Sequence, residues 1–94
     1  MDNYIIVPDG SMNFESISEF TRRLRWGAEI EFIWNNITYG VVRYGTNNKI
    51  TIYQANRPET EKVCDTADDV LEYMLGGDCL RDVVTKVKVV SRTN

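Results

Sequence analysis

On either side of Asn35-Asn36 an apolar residue stands at every second position, Ala28, Ile30, Phe32 and Trp34 before it and Ile37, Tyr39 and Val41 after it. Alternation with a period of two marks a strand with one dry and one wet side. Asparagine also tolerates the positive φ that both central positions of a two-residue hairpin turn demand. With the turn placed there, Trp34 faces Ile37, Phe32 faces Tyr39 and Ile30 faces Val41, and all six point to one side. Glu29, Glu31, Ile33, Thr38, Gly40 and Val42 point to the other, a mixed surface suited to water.

The period changes on either side of this hairpin. Phe14, Ile17, Phe20 and Leu24 recur at helical spacing, which predicts a helix over Phe14 to Trp26. Asn13 is its expected N-cap, Met12 its staple against Ile17, and Gly27 its left-handed C-cap. Downstream, Gly45-Thr46-Asn47-Asn48 makes a turn, and Ile50 to Ala55 alternates again as a third antiparallel strand. Asn56 to Lys62, broken by Pro58, reads as a polar loop.

Thr66 with Asp69 makes a start resembling a capping box, and the stripe Ala67, Val70, Leu71, Met74, Leu75 predicts a second helix ending at Gly76-Gly77. Asp78 caps a short further turn through Leu80 and Val83. Lys86 to Arg92 reads as a closing strand at a sheet edge, where lysines discourage pairing between sheets. Tyr4 to Val7, ahead of the turn residues Pro8-Asp9-Gly10, is a short strand or a tail.

The resulting order, (β)-α-β-β-β-α-β, is that of an α+β chain. Amphipathic helices and an amphipathic sheet bury their apolar sides only against each other. The expected architecture is therefore a two-layer sandwich, an antiparallel sheet of about four strands with two helices on one face. The 94 residues make one domain, with residues 1–12 as a loosely attached N-terminal segment. Met1 to Asn3 and Thr93 to Asn94 are expected to fray.

Charge and cysteine usage narrow the setting. No segment approaches the roughly 20 apolar residues of a membrane span, and Tyr4 to Val7 lacks the length and the preceding basic region of a signal peptide. A cytoplasmic location is the expectation, with Cys64 and Cys79 held as thiols. The net charge of −3 is unevenly spread: residues 1–58 balance six acids against six bases, residues 59–82 carry −6, and the remaining tail carries +3. A negative chain disfavours direct nucleic-acid binding.

Candidate chemistry is sparse. The chain holds no histidine, which removes the commonest general base near neutral pH and the commonest nitrogen ligand for zinc. Neither a glycine-rich phosphate loop nor metal-finger spacing is present, and neither cofactor nor metal is expected. Cys79, in the first turn of a short helix, has a thiol that amide dipoles can activate, or is a plain small hydrophobe. Asp65, Asp68, Asp69 and Glu72 form an acidic cluster, which is a solvated face complementing a helix dipole, a patch for a partner that Asp82 joins, or paired carboxylates for a hard cation or acid–base chemistry. Arg22, Arg23 and Arg25 suit the C-terminal end of a helix, or a clamp on phosphate or carboxylate.

The uncovered sheet face gathers Tyr44, Tyr53, Ile33 and Val42, rimmed by Glu29, Glu31 and Lys88. That is the composition of an interface core, and equally of cross-strand pairs that stabilise a sheet. Gly40 in mid-strand suggests a bulge or the close approach of another backbone.

The run Glu29-Ile30-Glu31-Phe32, Tyr39 on the returning strand, and Leu80-Arg81-Asp82-Val83-Val84-Thr85 ending in Arg92-Thr93 resemble small uncharacterised proteins of Gram-positive bacteria, their phages and mobile elements. The likeness spans residues 14–93 and brings no catalytic residue with it. It implies a small accessory or regulatory protein. The leading expectation is a non-enzymatic module that binds another protein through its open sheet face, as a monomer or a symmetric dimer. The alternatives are an acidic phage-type inhibitor of a nucleic-acid-processing or defence protein, and a carboxylate-based hydrolase or metal-dependent enzyme.

Overall fold

The computed structural model describes residues 5–6, 12–43 and 48–93. The turn expected at Pro8-Asp9-Gly10, Tyr44 and most of the turn at residues 45–48 lie outside them, although Asn48 is described at φ +60°. The elements run β1 (Ile5–Ile6), α1 (Ile17–Arg25), β2 (Ile30–Trp34), β3 (Ile37–Arg43), β4 (Ile50–Gln54), β5 (Arg57–Cys64), α2 (Ala67–Val70), β6 (Met74–Leu75), β7 (Asp78–Cys79), α3 (Leu80–Val83) and β8 (Lys88–Arg92). The class is α+β, an open antiparallel sheet with helices packed on one side.

The central hairpin forms in the register that its alternation dictates. Ile30 pairs with Val41, Phe32 with Tyr39 and Trp34 with Ile37. Asn35 and Asn36 sit at φ +53° and +65°, the two left-handed positions of a type I′ turn, whose twist matches that of the flanking strands. Ile30, Phe32, Tyr39 and Val41 are buried, with Phe32 and Tyr39 stacked at 5.3 Å between ring centroids. Phe20 and Leu24 of α1, Ala67 and Val70 of α2, and Leu80 and Val83 of α3 join the same core, so all three helices lie on that face.

Helix α1 is shorter than its apolar spacing predicts. Ser16, not Asn13, is the N-cap: its hydroxyl accepts from the Glu19 amide at 3.0 Å, and the Glu19 carboxylate reaches back to the Glu15 amide at 2.9 Å. Asn13 is drawn away because its Oδ1 accepts from the Val89 amide of β8 at 2.9 Å. Ile17 points outward, so the staple with the buried Met12 does not form. At the other end Gly27, at φ +88°, closes a Schellman motif: its amide donates to the Leu24 carbonyl, and that of Ala28 to Arg23, both at 3.0 Å.

Further expectations are corrected. Residues 57–64, read partly as a loop, are strand β5, paired with β4 as Ile50–Cys64, Thr51–Val63 and Ile52–Lys62. The sheet order β1-β8-β2-β3-β4-β5 leaves β5 at an edge, where the missing amide of Pro58 costs no ladder bond. The sheet thus has six strands, and a separate hairpin pairs β6 with β7.

The second helix stops after one turn. Thr66 caps it as expected, accepting from Asp69 at 3.1 Å, but the Leu71 carbonyl that a longer helix would use is taken by the Arg81 amide at 2.8 Å and the Cys79 thiol at 3.2 Å. Gly76-Gly77 therefore turns the β6–β7 hairpin and ends no helix; Leu75 stays buried and Met74 is exposed. Asp78 caps nothing. Its carboxylate accepts from the Trp34 indole at 3.0 Å, and Cys79 occupies the N-cap position of α3 without a side-chain cap bond.

Strand β8 lies between β2 and β1, inside the sheet. A bulge opposite Glu31/Phe32 lets Ser91 face Glu31 and Val89 face Phe32, with Val90 as the extra residue. Thr93, expected to fray, is tied down: its amide donates to the Glu29 carbonyl at 2.9 Å, and its hydroxyl accepts from the Glu29 amide at 2.8 Å.

Candidate functional site

The helices leave the second sheet face uncovered by any helix among the described residues, and the registers lay its side chains out in three rows. One row runs Glu31, Gly40, Tyr53; the next Lys88, Ile33, Thr38; the third Val42, Thr51, Val63. Ile33, Val42 and Tyr53 are half-buried, Thr51 is buried between its neighbours, and Val63 is 61% exposed. Glu29 stands exposed beyond the first row and Glu31 is half-buried within it. Of the expected interface residues, Ile33, Val42, Tyr53, Glu29 and Glu31 are thus described at or beside this face, and Tyr44 lies outside the described residues.

Gly40 makes neither a bulge nor a contact with another backbone. It pairs in register with Tyr53, whose ring lies over it: a Cβ at position 40 would come within 2.5 Å of Tyr53 Cζ and Oη. The glycine is a socket for the ring, which fixes where the largest side chain of the face sits. Val63 is the residue missed from sequence. A single valine in a run of charges was its only signal, and its meaning depends on β5 pairing with β4.

The acidic cluster is largely spent within the chain. Asp65 pairs with Lys49, Asp68 with Arg25 at 3.8 Å, and Glu72 with Arg81 at 2.6 Å, while the Asp69 amide is engaged at the Thr66 cap. Asp82 is exposed. The Glu72 hydrogen bond holds the Arg81 guanidinium above its ordinary range. Among the described residues no three Asp, Glu or Cys side chains are grouped to hold a metal ion.

A cleft of about 330 Å³ lies between the end of α1 and the start of α2, lined by Arg25, Arg43, Asn48, Ile50, Asp65, Thr66 and Ala67. Its charged walls are engaged by neighbouring groups. Arg43 donates to the Leu24 and Asn48 carbonyls, Arg25 faces Asp68, and Lys49 holds Asp65. It is a polar joint between elements.

The cysteines are free thiols. Cys64 is buried, and that burial pushes its thiol up; Lys62 opposes the shift, while Asp69 and Asp65 add to it, which is the reverse of nucleophile activation. Cys79 donates to the Leu71 carbonyl. Tyr39, buried between Phe32 and Tyr73, is likewise pushed above the ordinary phenol range by burial and then by Tyr73.

No helix among the described residues is long and apolar enough to cross a membrane. No protein-family model, no curated protein and no solved structure matches this chain, so the functional reading rests on its geometry.

Proposed function

We propose that the chain is a small non-enzymatic interaction module that binds another protein through its open sheet face. The observation that carries this reading is the layering: every helix packs on one side, and the other side presents Ile33, Val42, Tyr53 and the exposed Val63 with Glu31 and Lys88 at the rim. An apolar centre with Tyr in it and a charged border is the anatomy of a protein interface. The β5 edge of the sheet is a poor template for strand addition, since it carries Pro58, Glu59, Glu61 and Lys62, so the face is the better docking surface.

The acidic-inhibitor alternative is weaker, because three of its five carboxylates already hold cationic partners. For a carboxylate-based enzyme, the described cleft brings a single carboxylate, Asp65, to two arginines.

Photo-crosslinking from position 63, in an extract of the source cell, tests the proposal. Crosslinked adducts should form, and should disappear when Tyr53→Ser is added with the fold intact by circular dichroism. Adducts of equal yield from position 74, exposed on strand β6 of the β6–β7 hairpin, would refute it.

A further inference from the structure

The outer surface of α1 carries a second feature, independent of the open sheet face. Trp26, the C-cap residue, is 67% exposed, the most exposed large apolar side chain among those described. The guanidinium groups of Arg22 and Arg23 lie 5.9 and 5.6 Å from its ring, in the range of cation–π attraction. The chain has seven arginines, and five of them have partners. Arg25 faces Asp68, Arg57 Glu59, Arg81 Glu72 and Arg92 Glu19, while Arg43 donates to two carbonyls. Arg22 and Arg23 pair with no carboxylate among the described residues, and the buried Nε of Arg23 has no hydrogen-bond partner.

Helix capping does not use these donors either. The last carbonyls of α1 are occupied by backbone: Arg22 and Arg23 accept from the Trp26 amide, Arg23 also from Ala28, and Leu24 from Gly27, with Arg43 adding a bond to Leu24. Among the described residues, the two arginines without a carboxylate or carbonyl partner are thus the two beside the exposed indole. Arg and Trp are the residues most enriched where binding energy concentrates.

We infer that Arg22, Arg23 and Trp26 form a docking surface for a short acidic segment of a partner protein, two carboxylates meeting the guanidinium groups and a neighbouring apolar side chain resting on the indole. Guanidinium and carboxylate match as paired donors and acceptors, and the charge of such a segment complements this patch on a chain of net charge −3. A nucleic-acid strand fits less well. A single indole offers one stacking platform where strands use several.

Trp34 is the only other tryptophan, so Trp34→Phe leaves Trp26 as the sole indole reporter. The full chain carrying that change is titrated with a synthetic peptide alternating Asp and Leu, with its Asn and Leu counterpart, and with oligothymidylate. The acidic peptide should shift Trp26 emission saturably, and Arg22→Gln with Arg23→Gln should weaken it about tenfold or more, as should raised salt. Amide shifts in the unmodified chain, mapped by NMR with the same probes, should cluster at residues 22–26 and keep the test valid if Trp34→Phe disturbs the fold. A response to the Asn peptide equal to that of the acidic one, or no shift at residues 22–26, would overturn the inference. Tighter binding of oligothymidylate would overturn it in favour of a nucleic-acid surface.

Discussion

Replacing Gly40 with alanine tests the architecture of the open face in one measurement. A Cβ there would lie 2.5 Å from Tyr53 Cζ and Oη and 2.9 Å from Cε1, so the ring must swing off its socket. A tyrosine buries about 150–250 Å² in full, so half of that exposed again at ~25 cal/mol per Å² costs about 2.5 kcal/mol. Alanine recovers about 0.5–1 kcal/mol of that because glycine is a poor strand residue. The single variant should therefore be less stable by about 1.5 kcal/mol in urea unfolding. With Tyr53→Ala already present there is no ring to displace, and Gly40→Ala should stabilise by about 0.5–1 kcal/mol. The sign of one substitution should invert between the two backgrounds, a coupling of about 2.5 kcal/mol. Equal effects in both backgrounds would show that Tyr53 does not rest on Gly40, and the layout of the face would have to be redrawn.

Two further outcomes follow from the packing. Asn13→Ala strips the Val89 amide of its acceptor in the middle of the sheet and should cost about 1–3 kcal/mol, and Ser16→Ala, which removes the helix cap, should cost about 1 kcal/mol; a Ser16→Ala variant as stable as the parent in chemical denaturation would contradict the assignment of the cap to Ser16. Because burial raises the folded-state pKa of Cys64, the neutral thiol stabilises the fold fully below the ordinary thiol value of about 8.5, and that contribution is lost as pH climbs through the raised value. Tyr39 should extend the loss above pH of about 10. Unfolding midpoints followed into this alkaline range should fall, and Cys64→Val should flatten the first part of the decline; an unchanged slope would exclude Cys64 as its source.

What the sequence reveals here depends on how local the causes are. The Asn35-Asn36 hairpin and the Gly27 cap are legible because each is fixed by residues adjacent in the chain. Strand β5 was hidden because its residues are those of an edge: Pro58 and the charges of positions 57–62 look like a loop until β4 is beside them. The second helix was over-read because Ala67, Val70, Leu71 and Leu75 are indeed buried, yet a backbone amide ten residues downstream, from Arg81, captures the carbonyl that would prolong it. Of the site, the wet side of the hairpin was readable from alternation, while the exposure of Val63 and of Trp26 depends on where distant segments do not pack.

The placement of β8 bears on how the chain is made. Strands β2 to β5 are successive neighbours and can zip together from short turns as they are synthesised, but the other side of β2 stays bare until residues 88–92 emerge. That last pairing spans more than half the chain and closes a large loop, which makes it the slow step of assembly. Until it forms, Ile30 and Phe32 border a strand with unpaired amides and carbonyls, the kind of surface that recruits other nascent chains. A chain lacking residues 88–92 would leave that side of β2 adhesive.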